Sequence, residues 1–399
     1  MLYRSAPLLA CCAILLGLPK LANAQLPSPD FFPIGVHSQP TTSFAKWKAR
    51  GINTMFQYEP MNGAVSMDTW DAAAEAQGLY YVRWPSANPS NDLQKKNLIA
   101  WAQGDEPDLP NHDPRPSRII DVYQNLKAIS PAKPVWVNFA GPLVTPSTSN
   151  YTQWVKGADW LDSDWYPVNW GRPESLYFVG LQLDRLRAAA NGAPKKYMVY
   201  IESAYAWVNT TGGRAPTPGE FRAEIWNGIN HGATGITYFP QVIGRSFNFD
   251  ATPLDIESEM KIQNDKIRRL GGILNQTWKP ASRGVTLSDP VKLESSWRST
   301  ADGDYFFVLN LSPTQVNDAT ITLTGLPAGL TLMDVFDESR TEPLVGGKIT
   351  DSFAPYEVHI YRTSTAGAQS LDITAVPEPG TIGLLTVLSA AGLMRRGRR

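Results

Sequence analysis

Cysteine is almost absent: the 399 residues hold two, Cys11 and Cys12, both in the first dozen positions. Once that segment is removed, a disulfide framework, a Cys-ligated metal and a thiol nucleophile are all excluded. Histidine is scarce as well, with four residues, and His112 and His231 stand isolated without metal-ligand spacing. Neither a metal nor an organic cofactor is implied. No Gly-rich phosphate loop follows the first strand-like run, which weakens the case for a doubly wound open sheet. What the chain has in quantity is aromatic surface, with 13 Trp and 15 Tyr.

The two ends read as addresses. Arg4, an apolar run and Ala22-Asn23-Ala24 have the order of a secretory signal covering residues 1–24. Its apolar run is shorter than the roughly 20 residues of a spanning helix, which argues against an anchor. Few apolar residues precede Cys11, which argues against lipidation there. At the other end, Val376-Pro377-Glu378-Pro379 is followed by an apolar stretch and then Arg395, Arg396, Arg398 and Arg399. This tail resembles the PEP-CTERM sorting signal of Gram-negative bacteria. The resemblance implies processing by an exosortase-type enzyme, membrane contact through a transient tail only, and delivery to the cell surface or extracellular matrix. The arginines would hold the tail on the cytoplasmic side. Without both ends, 30 Lys and Arg remain against 36 Asp and Glu, so the mature chain is mildly acidic and no nucleic-acid or anionic-membrane partner is expected.

Between the ends, short β-rich runs alternate with helical stretches. Strand-like runs fall at residues 31–36, 52–58, 79–84, 98–103, 134–139, 159–165, 197–202 and 234–239. Helical signals lie between them, at residues 66–77 after a Ser cap, at 117–129 before Pro131, and at 217–231 behind the capping box Thr217-Pro218-Gly219-Glu220. Eight strands with intervening helices predict an α/β fold, a (β/α)8 TIM barrel over residues 30–275. The third crossover, residues 85–97, has room for only a short helix. Residues 276–362 read as consecutive short strands broken by turns, a small antiparallel β-sandwich, and 363–375 as a polar linker. The mature chain is expected to be a monomer.

The working groups of such a barrel sit at the C-terminal ends of its strands. Two glutamates stand there: Glu106, in Gly104-Asp105-Glu106-Pro107 after strand four, and Glu202, the last residue of strand seven. Each ends an apolar strand, so each carboxyl is expected where the dry barrel meets a wet cleft. The placement resembles that of the clan A-like retaining glycoside hydrolases, whose acid/base follows strand four and whose nucleophile ends strand seven. The resemblance covers about residues 31–362 and implies Glu106 as acid/base, Glu202 as nucleophile and an extracellular or surface poly- or oligosaccharide as substrate. Where the clan commonly has Asn before the acid/base, this chain has Asp105. Direct attack requires the two carboxyls about 5 to 5.5 Å apart, against roughly 6.5 to 9.5 Å for an inverting pair.

Supporting residues follow from strand alternation and loop position. Asp162, Asp164 and Tyr166 share one face of strand six, with Tyr166 placed to hydrogen-bond the nucleophile. Asp164 also founds a competing pair, Glu106 with Asp164, of the strand-four and strand-six kind seen in another barrel clan. His37, Arg83, Asn138 and Tyr238 could reach substrate hydroxyls, and Trp165, Trp170, Tyr205 and Trp207 could offer aromatic faces to sugar rings. The alternative to an enzyme is a non-catalytic carbohydrate-binding surface protein on a degenerate barrel. Convergent carboxyls in an open cleft would favour the enzyme; divergent carboxyls or a blocked mouth would favour the binder.

Overall fold

The structure is a computed structural model that describes residues 27–58, 65–109, 112, 115–141, 151–243, 247–280 and 284–363. The leader, the sorting tail and all of the polar linker but Thr363 lie outside the described residues.

Each strand-like run forms a strand: β1 (Ile34–His37), β2 (Thr54–Phe56), β3 (Tyr80–Arg83), β4 (Leu98–Asp105), β5 (Val135–Phe139), β6 (Trp160–Ser163), β7 (Lys196–Tyr197), β8 (Val199–Glu202) and β9 (Ile236–Phe239). β7 and β8 are one barrel strand interrupted at Met198, whose N–H reaches across to Leu161 O at 2.8 Å. All pair in parallel, and since β7 pairs β6 while β8 pairs β9, the sheet closes on itself. The helices are α1 (Phe44–Ala49), α2 (Met67–Ala76), α3 (Pro116–Ile129), α4 (Tyr151–Trp154), α5 (Phe178–Ala190), α6 (Pro218–Asn230) and α7 (Leu254–Leu274). The third crossover holds only a 3-10 turn, Pro89–Gln94. Ser66 caps α2 and the expected box of Thr217 and Glu220 caps α6. α3 instead starts at Pro116, with no side-chain cap.

Period-two alternation builds two concentric layers. Phe56, Val82, Ala100, Ala102, Trp136, Trp160, Met198 and Tyr200 fill the barrel interior. The residues between them, such as Met55, Tyr81, Trp101, Val137 and Ile201, pack outward with Trp47, Trp70, Leu183, Phe221 and Ile256 of the helices. Gly35 is required where Phe56 crosses the interior, because a Cβ there would meet its ring at 2.4 Å.

The second body is antiparallel. β10 (Lys279–Pro280), β12 (Leu293–Thr300), β13 (Gly303–Asn310), β18 (Val358–Arg362), β15 (Leu332–Val335) and β16 (Arg340–Pro343) form one sheet in that order. β11 (Val285–Leu287), β14 (Val316–Leu323) and β17 (Lys348–Phe353) form the other, over a core that includes Phe306, Val308, Ile321 and Phe353. This body docks on α6: Trp226 stacks on Phe307 with centroids 6.1 Å apart, Glu294 accepts from Asn227 Nδ2 at 2.9 Å, and Arg298 donates to Ile229 O at 2.9 Å. Arg298 thus places a cation at the negative, C-terminal end of α6.

Candidate active site

A cavity of about 680 Å³ opens at the C-terminal ends of the barrel strands, within the size range of small-molecule sites. It is reached by the end of β4 through an irregular turn. Gly104 has φ +65° and Glu106 φ +45°, and the register with β5 slips between Ala102 and Asp105. The slip lets Asp105 and Glu106 both line the cavity although they are sequence neighbours. A left-handed conformation costs a non-glycine residue about 1 to 2 kcal/mol, and such strain collects at functional sites. Here it is held by Glu106 N–H donating to Asn138 O at 2.9 Å and by Leu109 N–H donating to Glu106 O at 3.1 Å.

Three carboxyls meet at this point. Asp105 accepts from Asn138 Nδ2 at 3.1 Å and more loosely from Gln57 Nε2 at 3.4 Å. The Glu106 and Asp164 carboxyls lie against each other, and since two carboxylates can only accept, a hydrogen bond between them needs a proton, which Asp164 supplies and which holds Glu106 down. Burial, followed by the charges of Asp105 and Asp108, pushes Glu106 up to about 7. Burial and the charge of Glu106 hold Asp164 well above the ordinary carboxylate range. Below them Asp162 faces inward against the Trp136 indole N–H at 3.0 Å, and burial pushes it up to about 8. His37 meets Tyr200 Oη at 3.0 Å, and burial lowers it to about 4, so it works as a neutral ring.

The opposite wall is aromatic. Trp170 stacks on Trp207 at 5.2 Å and Trp207 on Phe239 at 5.8 Å, and Tyr166 closes on both Trp207 and Phe239. Trp165 lines the cavity as well. A row of ring faces beside clustered carboxyls suits a ligand with apolar C–H faces and polar edges.

Of the residues read from the sequence, the structure brings His37, Asp105, Glu106, Asn138, Asp164, Trp165, Tyr166, Trp170 and Trp207 to this cavity. Four others go elsewhere. Arg83 points out of the barrel, because Tyr80 and Val82 take the inward positions of β3; it pairs with Asp71 at 2.8 Å and Asp92 at 2.9 Å. Tyr238 also faces outward, donating to Asn264 Oδ1 at 2.6 Å, while its neighbour Phe239 takes the cavity side. Tyr205 turns back on its own loop, donating to Thr210 O at 2.9 Å, and does not line the cavity.

Glu202 is the fourth. It was expected at the cleft boundary, but it is 1% exposed and does not line the cavity. Its oxygens accept from Val168 N–H and Asn169 N–H, each at 2.7 Å, and from the Asn169 amide. Tyr166 therefore meets aromatic rings rather than a nucleophile. Sequence reading also missed Tyr200, Phe239, Gln241 and Arg172 of the lining. Tyr200 was legible: it stands two residues before Glu202 on the inward face of the same strand.

Residues 119–243 match the profile of glycoside hydrolase family 42, described as beta-galactosidase. The match, to a glycoside hydrolase family, spans under a third of the chain and lies within the barrel. The matched stretch carries Asn138, Asp164, Tyr166 and Trp207, while Asp105 and Glu106 lie just ahead of it. Among solved structures, the alpha-amylase of Geobacillus thermoleovorans has a TM-score of 0.55 at 10% identity, over 85% of this chain and 99% of its own. A putative alpha-galactosidase of Bacteroides fragilis gives 0.56 at 9% identity, over 84% and 79%. AmyP, crystallised with maltose, gives 0.52 at 9%, over 82% and 90%. At these identities the likeness is one of fold, a barrel followed by a β domain. No curated protein matches the sequence.

Proposed function

We propose that this protein hydrolyses a glycosidic bond of an extracellular oligo- or polysaccharide, with Glu106 as the proton donor. The observation that carries the reading is the convergence of Asp105, Glu106 and Asp164 on one aromatic-walled cavity, where burial and the neighbouring charges push Glu106 up to about 7. A leaving alkoxide needs a proton at the moment the bond breaks, and a carboxylic acid with a pKa near the working pH supplies it. Asp105, oriented by the Asn138 amide, is the carboxylate placed to stabilise positive charge at the anomeric carbon. Among the described residues, Asn138 Oδ1, Asp164 Oδ1 and the Trp165 indole N–H have no protein partner, which supports a role with sugar hydroxyls.

The nucleophile assigned to Glu202 by resemblance does not enter this reading, because that carboxyl is enclosed away from the cavity. The carboxyl beside Glu106 is Asp164, the strand-four and strand-six pairing. Action outside the cell rests on the leader and the sorting tail of the sequence.

The test is a panel of β- and α-linked oligosaccharides, β-galactosides included, assayed for new reducing ends with Glu106→Gln as control. Proton NMR of the first-formed anomer reports retention if a carboxylate attacks carbon and inversion if it activates water. Binding without turnover across the panel would favour the carbohydrate-binding alternative, and neither binding nor turnover would end the reading.

A further inference from the structure

We propose that Glu202 is a positioning residue: braced by Glu224, it clamps the backbone after β6 and so sets the Trp170–Trp207 stack that walls the cavity. The inference rests on the glycosidase reading only where it concerns activity. Glu202 grips consecutive N–H groups, Val168 and Asn169, at 2.7 Å each, and Trp170 is the next residue along. The Asn169 side chain relays the grip to the loop after β8: its Nδ2 donates to Ala204 O at 2.8 Å and its Oδ1 accepts from Ala206 N–H at 2.5 Å. Trp207 follows Ala206 in the chain, and Ala206 O in turn accepts from Ile243 N–H at 2.8 Å in the loop after β9. One carboxylate thus registers three loops of the mouth.

The brace comes from α6. Glu224 is buried, no residue other than Glu202 offers its oxygens a hydrogen bond among the described residues, and its carboxyl lies against the carboxyl and backbone N–H of Glu202. Two buried carboxyls in contact must hold a proton between them. The other charges facing this pair are Glu220 of α6 and Arg214, which bond each other at 2.7 Å. Deprotonation would leave two anions repelling in a dry site, so the clamp loosens as pH rises.

The experiment reads the exciton couplet of the stacked indoles by circular dichroism, with Trp207→Phe defining its amplitude. Glu202→Gln replaces one acceptor oxygen with a donor and should lose most of that amplitude. The wild-type couplet should fade as pH rises, whereas Glu224→Gln, whose amide donates permanently, should keep it flat. A full couplet in Glu202→Gln, a wild-type couplet indifferent to pH, or a Glu224→Gln protein that fades like the wild type would each overturn the proposal. If Glu202→Gln does not fold, the Glu224→Gln comparison decides alone. On any glycan that is turned over, Glu202→Gln should raise KM more than it lowers kcat; a collapse of kcat at constant KM with the couplet intact would make Glu202 catalytic instead. Because the couplet needs no substrate, it remains decisive even if the whole panel is inert.

Discussion

Glu106→Gln should make the protein more stable and nearly inactive, and the two effects can be sized separately. Burial and the neighbouring carboxylates raise Glu106 from 4.5 to about 7. At about 1.4 kcal/mol per unit, the folded state above neutrality carries a penalty of up to about 3 kcal/mol for ionising this group. The native state binds the proton more tightly than the unfolded chain, so stability falls as pH rises between the two values. Glutamine has the same shape, can accept from Asp164 through its carbonyl oxygen, and never ionises. Near pH 4 the two proteins should therefore melt together, and at pH 8 the variant should melt higher, by roughly 4 °C for a chain of this size. Loss of the proton donor should lower kcat by about 10² to 10⁴ on substrates with poor leaving groups. Differential scanning calorimetry across that pH range, alongside initial rates, checks both numbers. A variant no more stable at pH 8 than the wild type would refute the desolvated, crowded acid, and undiminished turnover would remove Glu106 from the chemistry.

Arg83→Met should cost about 3 to 5 kcal/mol, since it strands Asp71 and Asp92 as buried carboxylates, yet leave kcat per folded molecule unchanged; urea titration with activity normalised to folded fraction separates the two. Tyr238→Phe should lose about 1 kcal/mol of stability, the worth of its bond to Asn264, with no change in KM. Trp207→Ala removes the ring between Trp170 and Phe239 and should weaken oligosaccharide binding by about 1 kcal/mol or more, readable by calorimetric titration of whichever glycan binds.

The barrel was legible because its information is local: period-two runs, a capping box and punctuating Gly and Pro place the elements without any knowledge of contacts. The site was legible only as far as strand ends go. Asp105, Glu106, Asn138 and Asp164 follow a strand into the mouth, and a rule about strand ends finds them. Arg83 and Tyr238 were misread because an alternating strand has two phases, and the inward one is fixed by partners such as Phe56 and Trp136 rather than by the strand itself. Glu202 failed differently. It was placed by position at a strand end, but two amides from a loop more than 30 residues away capture its carboxylate. That capture depends on the turn at residues 166–172, where Trp170 N–H bonds Tyr166 O and Arg172 N–H bonds Pro167 O, and no spacing announces it.

Helix α6 has company on two opposite flanks. One side carries Glu224 toward the barrel strand that ends in Glu202; the other presents Trp226, Asn227 and Asn230 to the β body. The appended sandwich is therefore a buttress rather than a passenger. A shortened chain ending after α7 would bare an indole and leave the buried amides of Asn227 and Asn230 without their carboxylate. Swapping in a foreign module would succeed only if it rebuilt that seam.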